Sequence, residues 1–324
     1  MSEYIGIQGQ AVINTGSDPS PGVGGQVWYN NATYAFKIQN YSLTGAWGTG
    51  GNLGTARELL AGAGTQTAGL AFGGQSPGNQ TLTEEYNGTS WSPGGSMGTG
   101  RIRLGGCGTQ TAGLGFAGTS PVTGATEEYD GASWTAGGTM ATARISLAGA
   151  GTQTAGLGAG GSIDPGVQTA TEEYNGSAWT AGGNLTTARF YLAGAGTQTS
   201  AVVFGGQIAP GTPPLITAAT EEYDGSTWTT GGNLNTARKD LAGCGETQNS
   251  ALAFGGRPPS AGATEKYDGT SWTTGGTMGT ARYHLAGGGT QTAGLAFGGK
   301  AGGTNSNATE EFNLVTTIGT LTTT

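Results

Sequence analysis

Six dipeptides at one repeated position hold most of this chain's chemically distinctive side chains. They are Glu58-Leu59, Ile102-Arg103, Ile145-Ser146, Phe190-Tyr191, Lys239-Asp240 and Tyr283-His284. Acid, base, aromatic ring and the only histidine all occur there, while the surrounding copies stay nearly identical. Aromatic faces with a few polar groups suit a sugar ring or a peptide. We therefore expect a shallow asymmetric ligand-binding pocket lined by Arg103, Tyr191, Lys239, Asp240, Tyr283 and His284. The alternative is neutral variation at an exposed position.

Catalytic chemistry is poorly supplied. One histidine cannot build an imidazole-rich metal centre, and no P-loop occurs. Two carboxylates about 5–10 Å apart suffice to hydrolyse a glycoside. The acids near the expected pocket, Glu58 and Asp240, fall in distant repeats. We expect no enzyme, no catalytic residue, no cofactor and no metal.

The elements that must position the pocket are repeats. Each dipeptide stands between an arginine (Arg57, Arg101, Arg144, Arg189, Arg238, Arg282) and a leucine (Leu60, Leu104, Leu147, Leu192, Leu241, Leu285). Each arginine follows a tryptophan by ten residues, from Trp47 to Trp272. Thr-Glu-Glu-Tyr recurs at 83–86, 126–129, 171–174 and 220–223, and in changed form at 264–267 and 309–312. A unit reads as four strands: Leu-Ala-Gly-Ala-Gly, then Ala-Gly-Leu-Ala-Phe ending in Gly-Gly, then Thr-Glu-Glu-Tyr, then a strand carrying the Trp. Asn-Gly or Asp-Gly after each Tyr marks a hairpin turn. The loop after Gly-Gly varies in length and is longest from Gln207 to Ala219. Loop variation on one face often marks the binding face of a repeat protein.

The first unit has a Trp half without a Tyr half, and the last, Glu310-Glu311-Phe312, has the reverse. An N-terminal strand carrying Trp47 can thus complete the last blade and remove the open sheet edges. The expected fold is all-β: a six-bladed β-propeller over residues 41–324, preceded by an extension over residues 1–40. Ser17 to Gly22 reads as a loop, and Gly25 to Ile38 as a hairpin around Asn30-Asn31.

Gly-Gly followed by Tyr and then Trp, in units of 43 to 49 residues, resembles the kelch repeat. The resemblance implies four-stranded blades around a central channel. Kelch propellers include copper radical oxidases, whose site needs two His; this chain has one. Asp224-Gly225-Ser226-Thr227-Trp228 approaches the sialidase-type Asp box but lacks one residue of it. Gly25 to Ile38, with Trp28-Tyr29-Asn30 and Phe36-Lys37, is similar to a short motif of tailed-bacteriophage structural proteins. That resemblance implies a virion-associated, tail-type protein displaying a receptor- or glycan-binding face, with residues 1–40 contacting other virion subunits. The alternatives are a purely structural virion or scaffold protein mediating protein–protein contacts and, behind it, a glycan-active enzyme.

Positions shared by all copies read as packing. Glu84, Glu127, Glu172, Glu221, Glu265 and Glu310 share a strand face with the following aromatic. We expect each to pair, partly buried, with a repeated arginine: Arg57, Arg101, Arg144, Arg189, Arg238 or Arg282. The second Glu becomes Lys266 once and is expected to face water. Cys107 and Cys244 occupy equivalent positions three blades apart, too far for a disulfide. The formal charge of −8 resides largely in the Glu pairs and argues against nucleic acid. No apolar run of 18 residues suggests a membrane span, and the N-terminus has no secretory pattern. The expected location is the virion, or otherwise the cytoplasm.

Overall fold

Glycine and alanine dominate the innermost strands because six of these strands crowd around one axis. A Cβ on Gly149 would sit 2.5 Å from the carbonyl oxygen of Gly106 in the neighbouring strand. The computed structural model describes residues 13–15, 27–32, 35–38, 40–119, 121–163, 166–209, 215–258 and 262–319. All elements among them are strands. Six four-stranded antiparallel sheets form a β-propeller.

Blade 1 is typical, with strands Ala61–Thr65, Ala68–Phe72, Thr83–Tyr86 and Trp91–Pro93 from the axis outward. The inner strands of blades 2 to 6 are Gly105–Thr109, Ala148–Thr152, Ala193–Thr197, Ala242–Thr247 and Ala286–Gly289. Each packs against the next, and the sixth packs against the first, so the ring is closed. In blade 6 the outermost strand is Asn40–Thr49, hydrogen-bonded to Thr309–Gly319. The sequence splits this blade between its two ends, as the half-repeats imply.

The repeated residues tie blade to blade. Each Trp indole N–H donates to the Thr hydroxyl of the preceding blade, as from Trp179 to Thr126 at 2.8 Å. Each Gln of the Thr-Gln-Thr turns in blades 1, 2, 3, 4 and 6 donates to two carbonyls of the preceding blade; Gln110 binds Gly69 at 3.0 Å and Tyr86 at 2.7 Å. In blade 5 an extra residue, Glu246, shifts the register between Gly245 and Thr247. There the tie is the Gln248 amide to Ser200 Oγ, 3.3 Å.

The second Glu does not simply face water. It accepts the tyrosine hydroxyl of the following blade, as in Tyr129 to Glu85 and Tyr86 to Glu311, both 2.6 Å. Burial together with this carboxylate pushes the Tyr86 and Tyr129 hydroxyls up to about 12. These side chains are held at the interface because a hydroxyl buried without a partner would cost stability.

The six arginines pair with the first Glu of each blade, from Arg57–Glu84 at 3.1 Å to Arg101–Glu127 at 2.7 Å. Their burial is complete on the arginine side and nearly so on the glutamate side, more than the partial burial expected. Each guanidinium also donates to backbone carbonyls; Arg57 binds Gly73 and Leu82 at 2.9 and 2.8 Å. Burial lowers the pKa of all six arginines, and the paired carboxylates partly offset it. These hydrogen bonds repay the desolvation that a bare buried pair would suffer.

The Asn-Gly and Asp-Gly signals form four-residue loops closed by the side chain. Asn87 Oδ1 accepts the amides of Thr89 and Ser90, both at 2.9 Å, while Gly88 takes φ +87°. Cys107 and Cys244, in blades 2 and 5, are buried free thiols. Burial pushes both up to about 12.

The chain divides into a unit of Met1–Gly45 with Leu314–Thr324 and the ring unit Ala46–Asn313. The first unit contains Val27–Asn30 paired antiparallel with Ala35–Ile38, the hairpin read from the sequence. Ile13–Thr15 adds to it in parallel. The expected loop at 17–22 lies outside the described residues.

Candidate binding site at the channel mouth

The dipeptides do not begin the inner strands. In each, the first residue makes an isolated backbone bridge to the residue after Gly-Gly: Glu58 to Gln75, Ile102 to Thr119, Ile145 to Ser162, Phe190 to Gln207, Lys239 to Arg257 and Tyr283 to Lys300. The two variable regions of the repeat are thereby joined. The second residue adopts a left-handed conformation, with φ of 55–57° at Leu59, Arg103, Ser146, Tyr191, Asp240 and His284.

A closed ring of hydrogen bonds fixes these six residues. The amide of Arg103 donates to Leu59 O, Ser146 to Arg103, Tyr191 to Ser146, Asp240 to Tyr191, His284 to Asp240, and Leu59 to His284, each at 2.9–3.0 Å. The six residues line a cavity of about 130 Å³ at the channel mouth, above a collar of Leu60, Leu104, Leu147, Leu192, Leu241 and Leu285. Left-handed backbone costs a non-glycine residue about 1–2 kcal/mol. Glycine would take this conformation freely, and the chain has 68 glycines. None stands at these six positions.

Of the six expected pocket residues, Arg103, Tyr191, Asp240 and His284 line the cavity. Lys239 and Tyr283 stand one position outward, at the bridges, and still reach their neighbours. The Lys239 ammonium lies 5.3 Å and the Arg103 guanidinium 5.5 Å from the Tyr191 ring centre. The Arg257 guanidinium lies 4.6 Å from the Tyr283 ring centre.

The placement of Glu58 and Asp240 in distant blades is corrected. Blades 5, 6 and 1 are consecutive in the closed ring, and His284 links the two acids. Its Nδ1 lies 2.7 Å from Glu58 Oε2, and its Nε2 lies 3.2 Å from Asp240 Oδ1. Arg257 Nε donates to Asp240 Oδ2 at 2.6 Å, and Lys300 Nζ to Glu58 Oε1 at 3.0 Å. Burial pushes the Asp240 carboxyl up, but His284 and Arg257 outweigh it, and the net shift is down. Glu58 follows the same balance, through His284 and Lys300. Every residue in this network has an ionic partner within it, and both imidazole nitrogens face carboxylates, but the contact of Nε2 with Asp240 Oδ1 does not have hydrogen-bond geometry.

Arg257, Lys300 and Ser146 were missed by sequence reasoning. The signal was the residue directly after Gly-Gly, which varies as Gln75, Thr119, Ser162, Gln207, Arg257 and Lys300. Arg103 Nε, Ser146 Oγ and Asp240 Oδ1 at the mouth are buried without a hydrogen-bond partner, as is Nε in each of the six buried blade arginines.

The mouth is two-sided. Ile102, Ile145 and Phe190 belong to blades 2 to 4, and the exposed large hydrophobics among the described residues, Val122, Ile163, Ile208 and Leu215, sit on the loops of the same blades. The charged network occupies blades 5, 6 and 1. Residues 210–214 of the longest loop lie outside the described residues.

No family model matches this chain, and no curated protein matches it. Two serines fit a Gly-x-Ser-x-Gly pattern: Ser76 within Gly74–Gly78, half-buried in the short strand Gln75–Ser76 of the loop after Gly-Gly, and Ser96 within Gly94–Gly98. Ser96 is exposed, lies in the connection after Trp91–Pro93, and stands where other blades carry Asn or Thr. No helix among the described residues is long and apolar enough to cross a membrane.

Proposed function

We propose that this protein is a non-catalytic recognition propeller of kelch type, whose channel mouth and adjoining loops bind a glycan or protein receptor. The supporting observation is the ring of six left-handed residues. Backbone geometry at those positions favours glycine, and the chain instead carries side chains of six different kinds. Strain retained at a ligand-sized opening is characteristic of functional sites. Glu58, His284 and Asp240 are held to one another and to Lys300 and Arg257 by ionic contacts, so the network fits a rigid wall better than a general base. The motif of residues 25–38 supports a phage tail-type virion protein, attached through residues 1–40.

A glycan array tests this reading, repeated with Tyr191→Ala and Tyr283→Ala. Selective binding that both substitutions abolish, with thermal stability unchanged, is the expected result. Binding untouched by both would remove the site from the mouth. The apolar loop tips of blades 2 to 4 favour a second reading, a structural protein contacting other subunits. Truncation before Tyr41 separates the two: a recognition propeller keeps its ligand, and a structural element loses assembly.

A further inference from the structure

The cations of the ring outside the buried ion pairs concentrate at one face. Twelve Lys and Arg occur in the chain, and six are the buried arginines of the blades. Four of the other six, Arg103, Lys239, Arg257 and Lys300, gather at the channel mouth. Blade connections alternate between faces, so the turns after the Tyr strands emerge at the opposite end. That end carries Asp130, Asp224, Asp268 and Glu246 and has no Lys or Arg in its turns. A protein with a formal charge of −8 thus presents cations at one opening.

Two of the four cations are neutralised. Arg257 pairs with Asp240, and Lys300 with Glu58. Arg103 has no carboxylate partner among the described residues, and its buried Nε lacks any hydrogen-bond acceptor. Lys239 Nζ donates to the neutral amide of Gln207 at 2.6 Å. Both lie against the Tyr191 ring, which also packs on Phe190 with centroids 4.6 Å apart. Tyr283 likewise holds Arg257. The tyrosines therefore brace cations in the free protein and do not offer bare platforms for stacking a neutral sugar. Beside them, Ser146 Oγ is buried in the cavity wall without a partner. A guanidinium without a paired carboxylate, a hydroxyl without a partner and a nearby ammonium without a salt bridge form a receptor for an oxyanion.

Resting on the recognition reading above, we propose that the mouth selects a ligand carrying an anionic group, a carboxylate or a phosphate. Arg103 holds the anion, and Ser146 and Lys239 assist. An excess of positive charge at the opening also steers the ligand toward it, an effect that salt weakens.

The test is calorimetric titration of the full chain with N-acetylneuraminate, glucuronate, inorganic phosphate and uncharged glucose, beside the glycan array sorted by charge. We expect binding of at least one anion and of acidic array members, with glucose inert. Arg103→Ala should weaken that binding at least tenfold without lowering the melting temperature. Arg103→Lys, which keeps the charge but not the planar fork, should fall between. Raising salt from 50 to 500 mM should weaken binding. Acidic sugars binding without phosphate identify a carboxylated glycan, and phosphate alone identifies a phosphorylated ligand. Glucose binding as tightly as glucuronate, or undiminished binding by Arg103→Ala, overturns the proposal. An array that selects neutral glycans, lost in Tyr191→Ala, overturns the anion and leaves the recognition reading standing. An empty array with four inert probes overturns both.

Discussion

The amide of Leu59 donates to the carbonyl of His284 at 2.9 Å and closes a ring of six hydrogen bonds around the channel mouth. The ring joins all six blades through residues held at positive φ. It fixes the backbone whatever the side chain, so the side chains are free to differ. Ser146→Gly should therefore relieve strain and keep the ring. The relief of about 1–2 kcal/mol is reduced by the greater freedom of glycine in the unfolded chain. A net gain of roughly 0.5–1 kcal/mol is expected in denaturant unfolding; a loss would show that the Ser146 side chain contributes to stability.

The buried arginine–glutamate pairs should behave alike in every blade. Arg144→Ala leaves Glu172 buried without its countercharge and should cost about 3–5 kcal/mol. The double substitution Arg144→Met with Glu172→Leu should be better tolerated than Arg144→Ala, because no lone charge remains. Chemical denaturation of the single and double variants distinguishes a pairing role from mere packing.

Phe312 of blade 6 stands where five blades carry a tyrosine, and Lys266 of blade 5 stands where the accepting carboxylate would be. The two departures fall on one interface. Lys266→Glu combined with Phe312→Tyr should recreate the missing bond, with a favourable coupling of about 1 kcal/mol in a double-mutant cycle. Tyr129→Phe, which removes an existing bond to Glu85, should destabilise by about 1.5–3 kcal/mol. Additive behaviour in the cycle would rule out direct contact between positions 266 and 312.

Acid should loosen the mouth through Asp240. Its folded pKa lies below the ordinary carboxylate value, held there by His284 and Arg257 against burial. A depressed carboxyl contributes stability that is fully present above its unfolded pKa, near 4, and is lost as pH falls through the folded value. Wild-type stability should therefore drop below about pH 4, and Asp240→Asn should drop less steeply. Parallel curves for the two proteins would mean that this network does not contribute to the acid dependence.

Much of the ring was legible along the chain. The half-repeats at each end implied how blade 6 is assembled, because a four-strand unit must be completed somewhere. The constant spacing of Trp, Arg and Leu counted the blades. That the first Glu of each blade pairs with a repeated arginine was inferred from strand alternation, which sets that Glu on the aromatic face; that Glu84 takes Arg57 came from the structure. These features are local and periodic, and a period survives in one dimension.

Other features needed the closed circle. Along the chain Glu58 and Asp240 are far apart, yet ring closure sets blades 5, 6 and 1 side by side and brings both acids onto His284. The role of the second Glu depends on the tyrosine of the next blade, and no spacing within one repeat contains it. The left-handed turn at Tyr191 is set by a hydrogen bond from another blade, so residue preference at that position gave no sign of it. Sequence by itself determined the strands, the count of blades and where variation falls. The tertiary structure alone decided which variable side chains meet, because those meetings arise from contacts between blades and from closure of the ring.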